Sequence, residues 1–422
     1  MRNTHVHHIV FGAAQRFGWI GVAVLLGVTP ASATTPLATA TAGSDLALAC
    51  GIDAVFGNPA HLGMTLGPRQ QLRLFSVAGG LHSNSLGWSQ YREYNGATLT
   101  ADDKSDILDQ IPSDGLTLSA NGSVSALALR LGSWAVTTGA VASARGQLDH
   151  DAIELLLYGN ASRADWVFDQ SDAEGFAAWQ IALSHGRRIG ALRNGPVYAG
   201  ITLAYIRGLY YVESSDVYAD LETESDGLSG GAAADWLTAE GGSGWGLDLG
   251  VAWQPNERSI VSLKLENLIH TIRWSHNVEL THYTLQFDDL TIDNFDDSLW
   301  VSDETTEAGA ATSAGLPPRV RLGWARHAAR VNVAVEVSAA LAERFAVSTT
   351  PRLASAVEYT PWSPLHLRSG LAVGGATGFA VGWGLGLDVG PCTWSVAVGV
   401  DKGLWIGSGN GMSAATSLDL NF

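Results

Sequence analysis

"SAATSLDLNF", residues 413–422, is the stretch whose reading decides the fold. Leu418, Leu420 and Phe422 share one face at period two, with Ser417, Asp419 and Asn421 on the other. A chain end normally frays into water, where a bare aromatic ring gains nothing. The pattern predicts a strand that runs to the last residue with one face against an apolar medium.

The same alternation recurs along the chain. In "SALALRLGSW" Leu127, Leu129 and Leu131 oppose Ala128, Arg130 and Gly132, and in "AAWQIALSH" Trp179, Ile181 and Leu183 oppose Gln180, Ala182 and Ser184. "GLDLGVAWQ" (from Gly246), "VSLKLEN" (from Val261) and "VNVAVEVS" (from Val331) repeat it. Period two dominates, and about twelve to sixteen strands fit. A soluble sandwich would show solvating Lys, Glu and Thr on its outer faces. Here the polar faces carry Gly, Ala and isolated charges, as in a crowded lumen. The apolar faces end in Trp134, Trp253, Trp324, Trp383 and Trp394, and fifteen Trp suit interfacial girdles. The reading is all-β: a transmembrane antiparallel barrel, whose closure satisfies every backbone group in lipid. Its last strand, with Leu418, Leu420 and Phe422, resembles the terminal signal that the outer-membrane barrel-assembly machinery reads.

The other end reads as an export signal. Arg2 and Arg16 precede the apolar "WIGVAVLLGV", and small residues Ala31 and Ala33 follow, placing cleavage after Ala33 and a signal peptide at 1–33. The apolar run is too short for a spanning helix. A formal charge of −17 argues against nucleic acid as a partner and against docking on anionic lipid. Lys104, Lys264 and Lys402 are the only lysines. Cys50 and Cys392 are the two cysteines, which in an exported chain either close a disulfide or stay free. Lipidation at "LALAC" is disfavoured because Ala47, not Leu, stands three before Cys50.

Between strands, "TADDKSDILDQIPSDG" predicts a short helix capped at Thr100 or Asp102, with Ile107, Leu108 and Ile111 inward, and "DHDAIELLLYGN" predicts a second. Two acidic stretches, from Glu213 and from Asp288, read as long external loops of solvated charge. "GLSGG" (Gly227, Ser229, Gly231) lacks the strand-then-helix setting of a nucleophile elbow. His270, His276 and His282 fall six residues apart, about 20 Å on one strand, too far to share a metal. No catalytic, cofactor-binding or metal-ligating residue is assigned.

One stretch is more specific. "CGIDAVFGNPAHLG" precedes the first strand, "QLRLFSVAGGLHSNSLG", and an apolar segment ending in Asn-Pro-Ala before strand one resembles the FadL-like superfamily of outer-membrane barrels, PorV and PorQ relatives included. "LKLENLIHTIRW" and "PLHLRSGLAVGGATGFAVGWGLGLDVG" extend the resemblance over nearly all of the mature chain. It implies a barrel of about 14 strands over 70–422, with residues 34–69 a lumenal hatch turning sharply at Gly57, Asn58, Pro59 and Ala60. It implies the outer membrane of a Gram-negative-type bacterium, with its lipid and lipopolysaccharide as surroundings. The role implied is passage of small hydrophobic molecules, or, in the PorV manner, non-transporting partnership with a secretion system. A Cys50–Cys392 disulfide would pin the start of the hatch.

Overall fold

The computed structural model describes residues 35–193, 195–225, 227–291 and 300–422; the expected signal peptide lies outside them. Helix α1 (Pro36–Ala40) and two 3-10 turns (Gly51–Val55 and Pro59–Gly63) precede the sheet. Strand β1 (Gln70–Ser83) leads through α2 (Trp88–Tyr94) and α3 (Ala101–Asp109) to β2 (Leu116–Leu131) and β3 (Trp134–Leu148). Then come α4 (His150–Tyr158), β4 (Asp165–Phe168), β5 (Asp172–Leu192), β6 (Gly195–Thr223), β7 (Leu228–Ala239) and β8 (Gly242–Asn256). β9 (Ser259–Trp274), β10 (Glu279–Leu290), β11 (Trp300–Ala308), β12 (Thr312–Ala314), β13 (Arg319–His327) and β14 (Val331–Ala340) follow. The chain ends with β15 (Arg352–Trp362), β16 (Leu365–Gly374), β17 (Ala380–Val389), β18 (Cys392–Asp401) and β19 (Gly411–Asn421).

Fourteen of these strands form a closed antiparallel wall, in the order β1, β2, β3, β5, β6, β8, β9, β13 to β19, with β19 pairing back to β1. The closing ladder sets Leu72 opposite Leu420, and Phe422 N–H donates to Gln70 O at 3.1 Å. Turns at the rim holding both ends of the wall are short; the longer connections are all at the far rim. α3 is one of these, capped by Thr100, whose Oγ accepts from Asp103 N–H, and it buries Ile107.

Alternation sorts the two faces. Leu127, Ile181, Leu183, Leu263, Val335 and Val337 are exposed on the outside, while Ala128, Ser184, Lys264, Ala334 and Glu336 are buried inside. Trp134, Trp253, Trp324 and Trp394 lie toward the terminal rim, whereas Trp383 lies toward the far rim, stacked on Trp405 at 5.9 Å.

Three expectations are corrected. The acidic stretch from Glu213 is not a loop: β6 runs on beyond the wall and pairs with β4 and β7. The stretch from Asp288 likewise holds β11 and β12, with 292–299 outside the described residues. Together β4, β6, β7, β10 and β11 build a sheet standing off the far rim, and Ser229 lies on strand β7 within it. Cross-strand pairing lets acidic side chains alternate into solvent without giving up the backbone ladder. Third, Cys50 and Cys392 are both free thiols. Cys392 pairs with Leu420 on the outward-facing register of β18, whereas Cys50 belongs to the segment inside the wall, so the wall separates them.

Candidate lumenal plug and vestibule

Residues 35–69 lie inside the barrel, and they do so without adding a strand to the wall. Thr35 caps α1 by accepting from Ala38 N–H at 3.1 Å, and Pro36 sits in the first turn, where its missing N–H costs nothing. Asn58 caps the second 3-10 turn, accepting from Ala60 N–H at 3.0 Å, with Pro59 as its first residue. The fixed φ of Pro59 and the extended backbone of Asn58 make the sharp bend. Ile52, Val55 and Leu62 cluster with Ala128 and Ala135 of the wall, with Phe56 packed alongside.

Asn58 also reaches outward. Its fully buried amide donates to Val251 O and Leu263 O, each at 3.2 Å, the carbonyls of two residues paired across the β8–β9 ladder. Just beyond, that ladder shifts register at Asp248, and Asn267, at φ +52°, donates its N–H to the Asp248 carboxylate at 2.8 Å. His61 spans the same side: its ring contacts Ala49 O at 2.7 Å and Ser262 Oγ at 2.8 Å.

Wall glycines make the close approach possible. A Cβ on Gly186 or Gly200 would collide with Pro59 backbone, and one on Gly250 with the Asn58 amide. Across the barrel, Gly370 and Gly382 face the backbone of Thr41 and Thr39 in the same way. The small inward residues legible in the sequence are thus two seats for the plug.

Charges join plug and wall. Arg73 binds Asp419 of the wall at 2.7 Å and Asp53 of the plug at 2.9 Å. Arg321 binds Glu336 at 2.6 Å and Asp45 at 2.7 Å; Lys264 binds Glu266 at 3.0 Å, Asp248 at 3.1 Å and Phe56 O at 3.1 Å. Each of these three cations has a carboxylate partner within the wall as well as a plug contact.

Above the plug lies a vestibule of about 870 Å³, bordered by Arg145, Glu174, Glu213, Glu266, Arg319 and Arg344 among others. The loop between β14 and β15 closes one side of it. These strands stand opposite β3 and β5 in the ring, so the loop crosses the mouth to reach them. Nothing in period-two reading marks this loop; the one hint is an aromatic residue, Phe345, in a connection with no other.

His270, His276 and His282 lie on β9, in the turn after it and on β10, and do not converge. His150, Asp151 and Glu154 on α4 bring ligand atoms within 4.8 Å of one another, but Asp151 is already paired with Arg163.

A family model described as a family of unknown function (DUF5723) matches residues 70–399. No curated protein matches the chain. Among solved structures, the Pseudomonas putida toluene transporter TodX is similar at 11% identity and a TM-score of 0.51, over 93% of this chain and 99% of that one. A TodX mutant described as a monoaromatic hydrocarbon channel gives 12%, 0.51, 92% and 99%, and the CymD monoaromatic hydrocarbon channel gives 11%, 0.50, 94% and 98%. The barrel therefore shares the fold of these channel structures, and the PorV and PorQ side of the resemblance has no counterpart among them.

Proposed function

This chain belongs to the DUF5723 family, and from that premise and its FadL-like barrel we propose that it is a non-catalytic channel passing small hydrophobic molecules across the outer membrane. Residues 34–69 act as its hatch, seated at Gly57, Asn58, Pro59 and Ala60. The observation that carries the reading is that the hatch holds no place in the wall's ladder. It can leave without breaking a strand pair, and Arg73, Arg321 and Lys264 keep wall carboxylates when it does. Above it the vestibule already provides a path from the far, extracellular rim, the rim of long connections. The hydrocarbon-channel names of the similar structures favour a hydrophobic cargo. The outer face meets membrane lipid and, at the extracellular rim, lipopolysaccharide; the barrel-assembly machinery acts on β19.

Deletion of residues 45–63 tests this. The expected product is a folded, heat-modifiable barrel with raised conductance in planar bilayers and faster uptake of a hydrophobic dye into liposomes. A folded deletion variant conducting no better than the intact protein overturns it.

A second reading, a secretion-accessory barrel, rests on the sheet standing off the rim. Among the described residues β11 pairs only with β10 and β4 only with β6, so each leaves an edge to which a partner protein's strand can add. Co-purification of a partner lost on removing residues 300–308, with no dye uptake, would favour it.

A further inference from the structure

The loop that crosses the mouth ends in an aromatic ring held like a bound molecule. Phe345, fully buried, sits edge-on to Phe176 with centroids 4.7 Å apart and to Tyr211 at 6.4 Å, and Tyr211 stacks on Trp274 at 5.2 Å. Ile206 and Ile272 complete the cluster. All of these partners belong to β5, β6 and β9, whereas Phe345 is carried by the β14–β15 connection, across the barrel from β5 but only two places from β9 in the ring. The pocket is therefore built by three wall strands and filled by a connection that belongs to none of them.

The backbone that delivers the ring is strained and clasped. Phe345 and Ala346 both adopt left-handed φ, +49° and +66°, a conformation that costs any residue with a Cβ. Such strain persists only where the surroundings hold it. Here Phe345 N–H donates to Glu174 Oε1 at 2.5 Å, and Ser143 Oγ donates to Phe345 O at 2.8 Å. Arg344 donates to Tyr211 OH at 2.8 Å and Glu213 at 3.1 Å, while its guanidinium lies 5.0 Å from the Phe345 ring centroid. Arg344, Ala346 and Val347 border the vestibule, so a ring released from the pocket would enter open space.

We propose that the Phe176–Tyr211–Trp274 pocket is a binding site for a small planar aromatic molecule, occupied at rest by Phe345, and that such a ligand exchanges with Phe345 and unlatches the loop. The chemistry of recognition is that of the resident ring: edge-to-face contacts with Phe176 and Tyr211, apolar burial against Ile206 and Ile272, and no charge. Charged cargo is refused by the same apolar lining. The inference deepens the channel reading and rests on it only for the ligand's being cargo.

Fluorobenzene binding to the full-length protein in detergent, followed by fluorine NMR, tests the site directly. Phe345→Ala empties the pocket and should tighten binding at least tenfold; Arg344→Gln loosens the clasp, removing its hydrogen bond to Tyr211 OH but leaving every pocket ring in place, and should tighten it several-fold. Adding Phe176→Ala to Phe345→Ala should abolish the gain. Heat-modifiable migration reports folding for each variant, and if Phe345→Ala does not fold, Arg344→Gln decides. Affinities within twofold of the unaltered protein in the folded variants, or a gain that survives loss of Phe176, overturn the proposal. Liposome uptake is read separately. Phe345-dependent binding without uptake would keep the site and retire the channel, whereas uptake with Phe345-independent binding would do the reverse.

Discussion

Wall and hatch are held by different kinds of bond. The wall is joined by backbone hydrogen bonds around a closed ring, ending with Phe422 N–H on Gln70 O. The hatch is joined by side chains and by close approach over glycine: Asn58 across the β8–β9 ladder, Asp53 and Asp45 on wall arginines, Pro59 against Gly186 and Gly200. The first kind is cooperative, because losing one strand opens the whole ring in lipid. The second is piecemeal, because each contact contributes separately. A fault in the wall should therefore cost the barrel, and a fault in a seat should cost only closure.

Five substitutions test that contrast. The largest effect is expected at the seam: Phe422→Asp places a charge on the outward face of the closing strand, and folded, heat-modifiable protein in the membrane should fall severely. Normal levels would remove the assembly role proposed for Leu418, Leu420 and Phe422. Next, Asp419→Asn leaves the buried Arg73 without its wall carboxylate and should cost about 3–5 kcal/mol in unfolding. Asp53→Asn takes only the hatch partner, on a side chain that is partly exposed, and should cost about 1 kcal/mol or less while raising conductance. Equal destabilisation by the two would mean that wall and hatch fold as one unit. Smaller again, Gly200→Ala forces a Cβ into Pro59 backbone, with a cost of about 1–3 kcal/mol taken as hatch displacement. Gly190→Ala, with nothing near its Cβ, should be silent in both unfolding and conductance.

Much of the wall was legible because lipid and lumen impose period two on every strand, and Val331 to Val337 or Leu127 to Leu131 show it without help from context. The sharp bend at Asn58-Pro59 was legible for a local reason, the fixed φ of proline. What was not legible depends on contacts across the barrel. The amide of Asn58 finds carbonyls about two hundred residues away, and Phe345 finds its pocket on β5, β6 and β9, strands distant from it in sequence. The cysteine pairing failed for the complementary reason: spacing says nothing about which face of a strand a residue takes, and register turns Cys392 outward. The acidic stretches misled because charge was read as loop, although a strand clear of the membrane can carry charge on both faces.

The last test uses pH to loosen the hatch alone. Burial lowers the His61 pKa from 6.5 to about 4, so the seated ring is neutral, one nitrogen donating to Ala49 O and the other accepting from the Ser262 hydroxyl. A displaced hatch exposes His61 to water, where it takes a proton near pH 6.5. The displaced state therefore binds more protons between these values, and the seated state is favoured fully above about pH 6.5 and progressively less as pH falls toward 4. The slope is about 1.4 kcal/mol per pH unit at most, a roughly tenfold change in the open fraction. Conductance should thus rise between pH 7 and pH 5 while heat-modifiable migration stays unchanged, since no wall hydrogen bond is involved. His61→Gln, which cannot titrate, should flatten the dependence. A rise of equal size in that variant would place the sensitive group elsewhere, and no rise in the unaltered protein would mean that the hatch does not leave its seat on the Ser262 side.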